Sequence, residues 1–248
     1  MPVKAVLFDL FDTLVIIEGG ETFYEPSLRK LHEFLANNGI TTSFNDFSRV
    51  YFEVRDKLYE ESNKSLEEPH FNVRISRTLK RLGHNLEAHD PVVTGATNVF
   101  ADEFTRYVRL DDDAIEVLEK LHGKYKLGIV SNFAIPEAVW TLLDRFNIKK
   151  FFNVIIISGE INKRKPSPII FEKALKDLNI KASDAAFVGD TPRLDVKGAR
   201  NAGIKSILIH RKRSATDRPT MIWSPPEDNS NLQPDMIVKS LRELLTIL

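Results

Sequence analysis

The chain has 248 residues, enough for one or two domains with a substantial core. Its 35 basic and 35 acidic residues cancel, which removes the electrostatic argument for nucleic acid or an anionic membrane surface as a partner. It contains no cysteine, which excludes disulfides, thiolate catalysis and zinc–thiolate sites. Because the sequence shows neither a signal-peptide pattern nor an apolar run of about 18 residues, we expect a cytoplasmic protein without a membrane span.

The first predicted strand, about residues 4–8, is apolar on both faces, as a central strand of a parallel sheet requires. Asp9 follows it directly. Ligands of such sheets bind at the carboxyl ends of the strands, where the strand order reverses. This stretch therefore predicts a functional site at the end of the first strand.

Helical periodicity then extends from residue 26 to about residue 108, with no convincing strand. Ser43 is a predicted N-cap, and Asp90 with Pro91 is a typical helix start. The pattern predicts four helices, near residues 28–35, 44–58, 73–82 and 91–108. We interpret this segment as a small helical bundle inserted after the first strand.

Short apolar strands and helices alternate in the second half of the chain. The predicted strands are 127–130, 154–157, 185–188 and 206–209, and the predicted helices are 113–122, 136–147, 168–178 and 192–202. This alternation is typical of an α/β fold, a doubly wound, Rossmann-like parallel sheet with helices on both faces. The proline-containing residues 211–234 are predicted to be a surface excursion before a last strand, 236–238, and a last helix, 239–247.

Polar side chains follow three of the predicted strands. Asp9 follows the first, Ser131 and Asn132 follow strand 127–130, and Asp190 follows strand 185–188. Because parallel strands place their carboxyl ends at one edge, we expect these groups to converge. Close carboxylates repel each other unless a cation is present or one of them is protonated, and hard oxygen ligands favour Mg²⁺. The sequence therefore predicts a magnesium cofactor bound by Asp190 and its neighbours.

Two further charged residues fit the same edge of the sheet. Lys165 precedes the helix that starts near Pro168, and a lysine there can neutralise a carboxylate and a phosphoryl oxygen together. Asp195 lies five residues after Asp190 at the start of a helix, where we expect it to orient Lys165 or bound water. A solvated basic turn is the simpler interpretation of an isolated lysine.

Taken together, these residues resemble the haloacid dehalogenase superfamily of hydrolases. Four motifs carry the resemblance in order: FDLFDTL (8–14), GIVSNF (128–133), KRKPSP (163–168) and GDTPRLDVKGARNAG (189–203). The resemblance implies an α/β core formed by residues 1–16 and 109–248. It also implies a helical cap domain formed by residues 17–108. Four motifs in order specify the superfamily much better than they specify a substrate.

The resemblance also implies roles for individual residues. Asp9 would be the nucleophile that forms an aspartyl-phosphate, with Ser131 and Lys165 as the other catalytic residues. The groups implied in phosphate binding belong to Leu10, Phe11, Ser131, Asn132 and Lys165. The implied Mg²⁺ ligands are Asp9, the Phe11 carbonyl and Asp190, with Thr13 and Asp195 in supporting positions. The substrate would be a small phosphorylated molecule.

One position departs from the family pattern. Phosphatases of this family usually carry a second Asp, the general acid, two positions after the nucleophile, and here that residue is Phe11. A metal-independent 2-haloacid dehalogenase that uses Asp9 is therefore one alternative, and a scaffold protein with little turnover is another. We favour the phosphatase because Asp190 and Asp195 would be unhelpful around a carboxylate substrate without a metal.

Other polar residues have simpler interpretations. The polar candidates of the cap, which we expect on solvated helix faces, are Arg29, His32, Arg55, His70 and Arg74. The basic run that starts at Arg211 is predicted to be surface charge. The sequence leaves the choice between monomer and homodimer open.

Overall fold

The computed structural model describes residues 3–211 and 232–248. The first part of the chain contains one strand of the main sheet, a short ribbon and a helical segment. Its elements are β1 (Ala5–Phe8), β2 (Val15–Ile17), α1 (Tyr24–Asn37), α2 (Phe44–Ser65), α3 (Phe71–Arg81), α4 (Pro91–Thr105) and β3 (Val108–Leu110). β2 and β3 pair antiparallel at the two ends of the four-helix segment.

Strands and helices alternate in the rest of the chain, as predicted. The elements are α5 (Ala114–Leu121), β4 (Lys126–Ser131), α6 (Pro136–Arg145), β5 (Val154–Ile157), α7 (Ser158–Ile161), α8 (Pro168–Leu178), β6 (Ala185–Gly189), α9 (Lys197–Asn201), β7 (Lys205–Ile209), β8 (Met236–Val238) and α10 (Leu244–Ile247). The predicted strands are confirmed to within one residue at each end.

The main sheet is parallel, with the order β5-β4-β1-β6-β7-β8. β1 is flanked by β4 and β6, so the strand order reverses at the centre of the sheet. Both faces of β1 are covered: Val6 and Phe8 belong to one apolar cluster, and Ala5 and Leu7 belong to another. The predicted doubly wound α/β fold is confirmed.

The helical segment shares an apolar core with one face of this sheet, and its helix α4 packs against α6. Leu28, Leu31 and Leu35 of α1 are buried in the same cluster as Val6 and Phe8 of β1. Ser43 accepts a hydrogen bond from the Asp46 amide at the start of α2, as its predicted capping role requires. None of the helices in the described part of the chain is long and apolar enough to cross a membrane.

Several boundaries differ from the prediction. The helix expected to reach residue 108 ends at Thr105, and the two ribbon strands were not predicted because three residues are too few to show an alternating pattern. The helix expected over 192–202 starts as a π-helical turn, Pro192–Val196, and the last helix starts as a 3₁₀ turn, Leu241–Glu243. Most of the predicted excursion, residues 212–231, lies outside the described residues.

Candidate active site

The three central strands bring acidic residues together at one edge of the sheet. Asp9 follows β1, and Asp190 follows β6, its direct neighbour. Asp195 comes from the π-helical turn that begins after Asp190. One carboxylate oxygen from each of these three residues lies within 4.8 Å of the other two. Asp9 and Asp195 are buried, and Asp190 is half-buried.

Lys165 lies inside this acidic cluster. Its Nζ is 2.7 Å from Asp9 Oδ1 and 2.8 Å from Asp195 Oδ1, and only 1% of its side chain is exposed. The ammonium group also lies 5.2 Å from the centre of the Phe187 ring on β6. Lys165 therefore joins the end of β1 to the turn after β6 through two buried ion pairs.

Burial and neighbouring charges set the protonation of the cluster. Burial raises the pKa of Asp9 to about 7, with Lys165 opposing the rise and Asp195 adding to it. Burial alone lowers the pKa of Lys165, but Asp195 and Asp9 outweigh this effect and the pKa is raised. Asp9 and Asp195 share one ammonium group, that of Lys165. A cation beside Asp9 favours its ionised form.

The donor set fits a hard divalent cation. Three carboxylates that converge within 4.8 Å supply hard oxygen ligands, and Lys165 pairs with two of them, Asp9 and Asp195. Asp190 is oriented by a hydrogen bond from Thr191 Oγ1 to its Oδ1, 3.2 Å long. The cluster is thus compatible with a metal between the ends of β1 and β6.

Asn132 holds the backbone of Lys165 in place. Its Nδ2 donates to the Lys165 carbonyl over 3.0 Å, and the Lys165 amide donates to its Oδ1 over 2.8 Å. The sequence predicted a phosphate contact for Asn132 and did not predict this clamp. The only signal in the sequence is a short amide side chain directly after the strand-end Ser131.

Gly189 allows Asp195 to come close to the sheet. A Cβ atom at position 189 would lie 2.4 Å from the carboxyl carbon of Asp195. Asp195 uses Oδ1 to bind Lys165 and accepts a hydrogen bond from the Thr191 amide on Oδ2, 2.8 Å long. Position 189 therefore requires glycine, because the Asp195 carboxyl group lies too close to allow a side chain there.

Two buried hydroxyl groups at this edge have no hydrogen-bond partner among the described residues. They belong to Ser131, the last residue of β4, and to Thr13 in the loop after β1. The Leu10 amide, which was expected to bind phosphate, donates to Asp9 Oδ1 over 2.8 Å. An unpartnered buried hydroxyl normally has a ligand or water partner, so Ser131 is available to a bound oxyanion.

Phe11 belongs to an aromatic cluster at the edge of the site. Its ring centre lies 4.5 Å from that of Phe133, which follows Asn132, and 5.8 Å from that of Phe104 on α4. Phe104 and Phe133 stack on each other at 5.2 Å. This cluster joins the loop after β1, the loop after β4 and the helical segment.

The sequence prediction was wrong for two arginines. Arg211 is not surface charge: its guanidinium donates to the carbonyls of Asp12 and Thr13, and it pairs with Asp111 at 2.9 Å. Arg74, expected on a solvated helix face, is buried in the helical segment. No local pattern marks either arginine, because the partners that hold them are distant in the sequence or lie on other helices.

Comparisons with known proteins agree with this geometry. Residues 3–203 match the sequence model of the haloacid dehalogenase-like hydrolases. The chain is 30% identical over 247 residues to a glyceraldehyde 3-phosphate phosphatase of Methanopyrus kandleri, covering 99% of this chain and 97% of that relative.

Two solved structures show the same fold. A 2-haloacid dehalogenase from Pseudomonas syringae pv. tomato has a TM-score of 0.71, and a haloacid dehalogenase-type phosphatase from Thermococcus onnurineus has a TM-score of 0.65. Each is 22% identical and covers 99% of this chain and 97% of its own. Both likenesses establish the shared fold. From the family match and the near-full-length relative, this chain belongs to the haloacid dehalogenase-like hydrolases, the family that its motifs predict.

Proposed function

We propose that this hydrolase is a Mg²⁺-dependent phosphatase that acts on small phosphate esters, with Asp9 as the nucleophile. The observation that carries the proposal is the buried cluster in which Lys165 pairs with Asp9 and Asp195 while Asp190 lies beside them. A relative that covers nearly the whole chain is a glyceraldehyde 3-phosphate phosphatase, which supports phosphate esters as the substrate class.

The proposed reaction has two steps. A carboxylate oxygen of Asp9 attacks phosphorus, an O–P bond forms, and the bond from phosphorus to the leaving group breaks. Water then attacks the aspartyl-phosphate and releases inorganic phosphate, which regenerates the carboxylate. Lys165 and the unpartnered hydroxyl of Ser131 donate to the phosphoryl oxygens in both steps. Asp195 and Asn132 position Lys165.

The proposed ligands of Mg²⁺ are Asp9, Asp190 and the carbonyl of Phe11. When bound, the metal supplies positive charge that draws the phosphoryl group to the acidic cluster. Without that charge, the carboxylates of this cluster repel a phosphate dianion, and Lys165 offsets this through its pairs with Asp9 and Asp195.

Phe11 restricts the substrates of this phosphatase. An aromatic side chain donates no proton to a leaving oxygen, and Phe11 packs against two other phenylalanine rings. We therefore propose that turnover is fastest for esters whose leaving group departs as a stable anion or brings its own proton. The backbone carbonyl of Phe11 is unaffected by the change of side chain.

Residues 17–108 are proposed to act as a cap over the site. The segment leaves and returns through the antiparallel ribbon β2–β3. Its contacts with these loops include two backbone hydrogen bonds: the Phe71 amide donates to the Ala134 carbonyl, and the Arg164 amide donates to the Leu66 carbonyl. The cap thus contacts the loop after β4 and the loop that carries Lys165.

A 2-haloacid dehalogenase is the second candidate, and Phe11 is the observation that favours it, because halide displacement needs no proton donor. Against it stands the acidic cluster. Asp190 and Asp195 would repel a carboxylate substrate in the absence of a metal.

The experiment that separates these functions is a paired assay with and without Mg²⁺. It follows phosphate release from p-nitrophenyl phosphate and halide release from 2-chloropropionate. We expect Mg²⁺-dependent phosphate release that Asp9→Asn abolishes. Asp112→Asn is the matched control, since its side chain is 94% exposed. Metal-independent halide release would assign the dehalogenase instead, and Mg²⁺ binding with no turnover of either compound would assign a binding protein.

A further inference from the structure

Arg74 on α3 is a buried cation with only neutral partners. Arg74 is only 7% exposed. Its guanidinium donates to the hydroxyl of Tyr59 at 2.9 Å and to the hydroxyls of Tyr24 and Tyr51 at 3.3 Å each. No carboxylate in residues 3–211 or 232–248 forms an ion pair with it within 4.0 Å. An unpaired buried charge is costly to a fold, so its retention calls for a reason.

The surrounding tyrosines do not supply the missing negative charge. Burial raises the pKa of Tyr59 to about 12, and burial likewise raises the pKa of Tyr24 and of Tyr51. All three hydroxyls therefore stay protonated. The rings of Tyr59 and Phe71, each 5.0 Å from the guanidinium carbon, offer cation–π contacts but no counter-charge.

Arg74 also lines a pocket and has spare hydrogen-bonding capacity. Its Nε is buried without a partner. The polar residues that share the pocket wall with it are Tyr59, Ser62, Glu68 and His70. The free space is about the size of one water molecule, so the pocket admits a single ligand oxygen rather than a bulky group.

The acidic residue of the pocket is already paired. Glu68 is buried and lies 3.3 Å from Arg164, which is buried as well. His70 contacts Glu137 at 3.2 Å. These contacts leave the charge of Arg74 uncompensated inside the pocket.

We propose that the Arg74 pocket binds a carboxylate group, one oxygen of which enters the pocket and accepts hydrogen bonds from Arg74. A carboxylate oxygen is a strong acceptor for a guanidinium N–H, and a planar carboxylate needs less space than a tetrahedral phosphate. The occupant supplies the negative charge that the tyrosine cluster lacks.

The second acidic group of a phosphorylated substrate is the source of carboxylate that the contacts favour, and this step rests on the proposed phosphatase function. Glu68 of the pocket wall pairs with Arg164, the residue before Lys165. Phe71, which also lines the pocket, is bonded to the loop after β4. The pocket wall and the catalytic lysine therefore belong to adjoining loops. A free carboxylate effector has the same chemistry, and the test separates the two sources.

The first arm of the test measures binding without turnover. The melting temperature is recorded in sodium formate against sodium chloride at equal ionic strength. We expect formate to raise the melting temperature of the wild type by a few degrees and to have no such effect on Arg74→Gln. Arg77→Gln is the matched control, because Arg77 lies on the same helix in an exposed pair with Glu61. It should respond as the wild type does.

The second arm compares 4-carboxyphenyl phosphate with its neutral analogue, 4-carbamoylphenyl phosphate. If the substrate is the source, the wild-type KM is about 10- to 100-fold lower for the carboxylate, and Arg74→Gln removes that preference. A formate effect without this preference assigns the pocket to a free carboxylate.

Two results would overturn the pocket itself: no formate effect on the wild type, or an effect that persists in Arg74→Gln. If Arg74→Gln does not fold, the test uses the wild type and Arg74→Lys, which keeps the charge. The effect of formate on their melting temperatures then decides whether the pocket binds a carboxylate. If the wild type does not turn over p-nitrophenyl phosphate at all, the phosphatase function is refuted. The formate result is independent of that outcome.

Discussion

Replacing Phe11 with aspartate is expected to give the enzyme a proton donor at the position where phosphatases of this family usually carry one. A general acid contributes about 10²–10⁴-fold to a rate when the leaving group must be protonated. We expect a gain of this order in kcat/KM for an alkyl phosphate such as glycerol 2-phosphate. We expect much less for p-nitrophenyl phosphate, whose leaving group is stable as an anion.

The same substitution carries a cost in stability that the structure allows us to estimate. Phe11 loses its contacts with Phe133 at 4.5 Å and Phe104 at 5.8 Å. Each aromatic pair contributes about 0.5–1.5 kcal/mol beyond area burial, so loss of the two pairs alone should lower the free energy of unfolding by about 1–3 kcal/mol, and the lost apolar burial adds to this. For a chain of this size, the two pairs alone correspond to a fall of about 2–12 °C in the melting temperature.

The assay is a series of aryl and alkyl phosphates with leaving groups of increasing basicity. The wild-type rate should fall steeply along the series, and the rate of Phe11→Asp should fall much less. Phe11→Asn is the matched control, since it removes the ring without adding an acid and should keep the steep dependence. A shallow dependence in the wild type, or the same gain in both variants, would refute the role assigned to position 11.

Three other substitutions test the support of the catalytic groups. Lys165→Met should abolish turnover and lower the free energy of unfolding by about 3–5 kcal/mol, because two buried carboxylates lose their shared cation. Lys163→Met, which removes a half-exposed surface pair, should lower the free energy of unfolding by less than about 1 kcal/mol. Urea titration measures the free energy of unfolding of both variants. Asn132→Ala should lower kcat more than it raises KM, and it should lower the free energy of unfolding by about 1–3 kcal/mol. An unchanged kcat would show that the hydrogen bonds of Asn132 to the Lys165 backbone do not contribute to catalysis. Arg211→Gln should lower the melting temperature and kcat/KM, because the carbonyls of the loop after β1 lose their donor. Arg49→Gln, an exposed change, should alter neither quantity.

The fold was predictable because its signals are local. The strand over residues 154–157 and the helix over residues 168–178 were placed to the residue, since an apolar run and a proline start are both written in consecutive positions. The ribbon strands β2 and β3 were missed because each is three residues long and is defined by a partner about ninety positions away.

The site was predictable in part for a related reason. Asp9, Ser131 and Asp190 end strands, and a parallel sheet brings strand ends together whatever lies between them. The contacts of Asn132 with Lys165 and of Arg211 with the loop after β1 follow no such rule. Each of these contacts depends on the conformation of a particular loop and on its position relative to another loop. Composition and periodicity do not predict that conformation.

The neutral composition hides two buried centres of opposite sign. In the acidic cluster Lys165 pairs with Asp9 and Asp195 beside Asp190, and in the helical segment the Arg74 guanidinium donates to the hydroxyls of three tyrosines. Each imbalance is costly while it stays buried, and each is relieved by a ligand of opposite charge. A cation relieves the first centre and a carboxylate relieves the second. The 35 residues of each sign make this chain a poor match for an extended polyanion, whereas the proposed substrate, a small phosphate ester that also carries a carboxylate, would place one charged group at each centre.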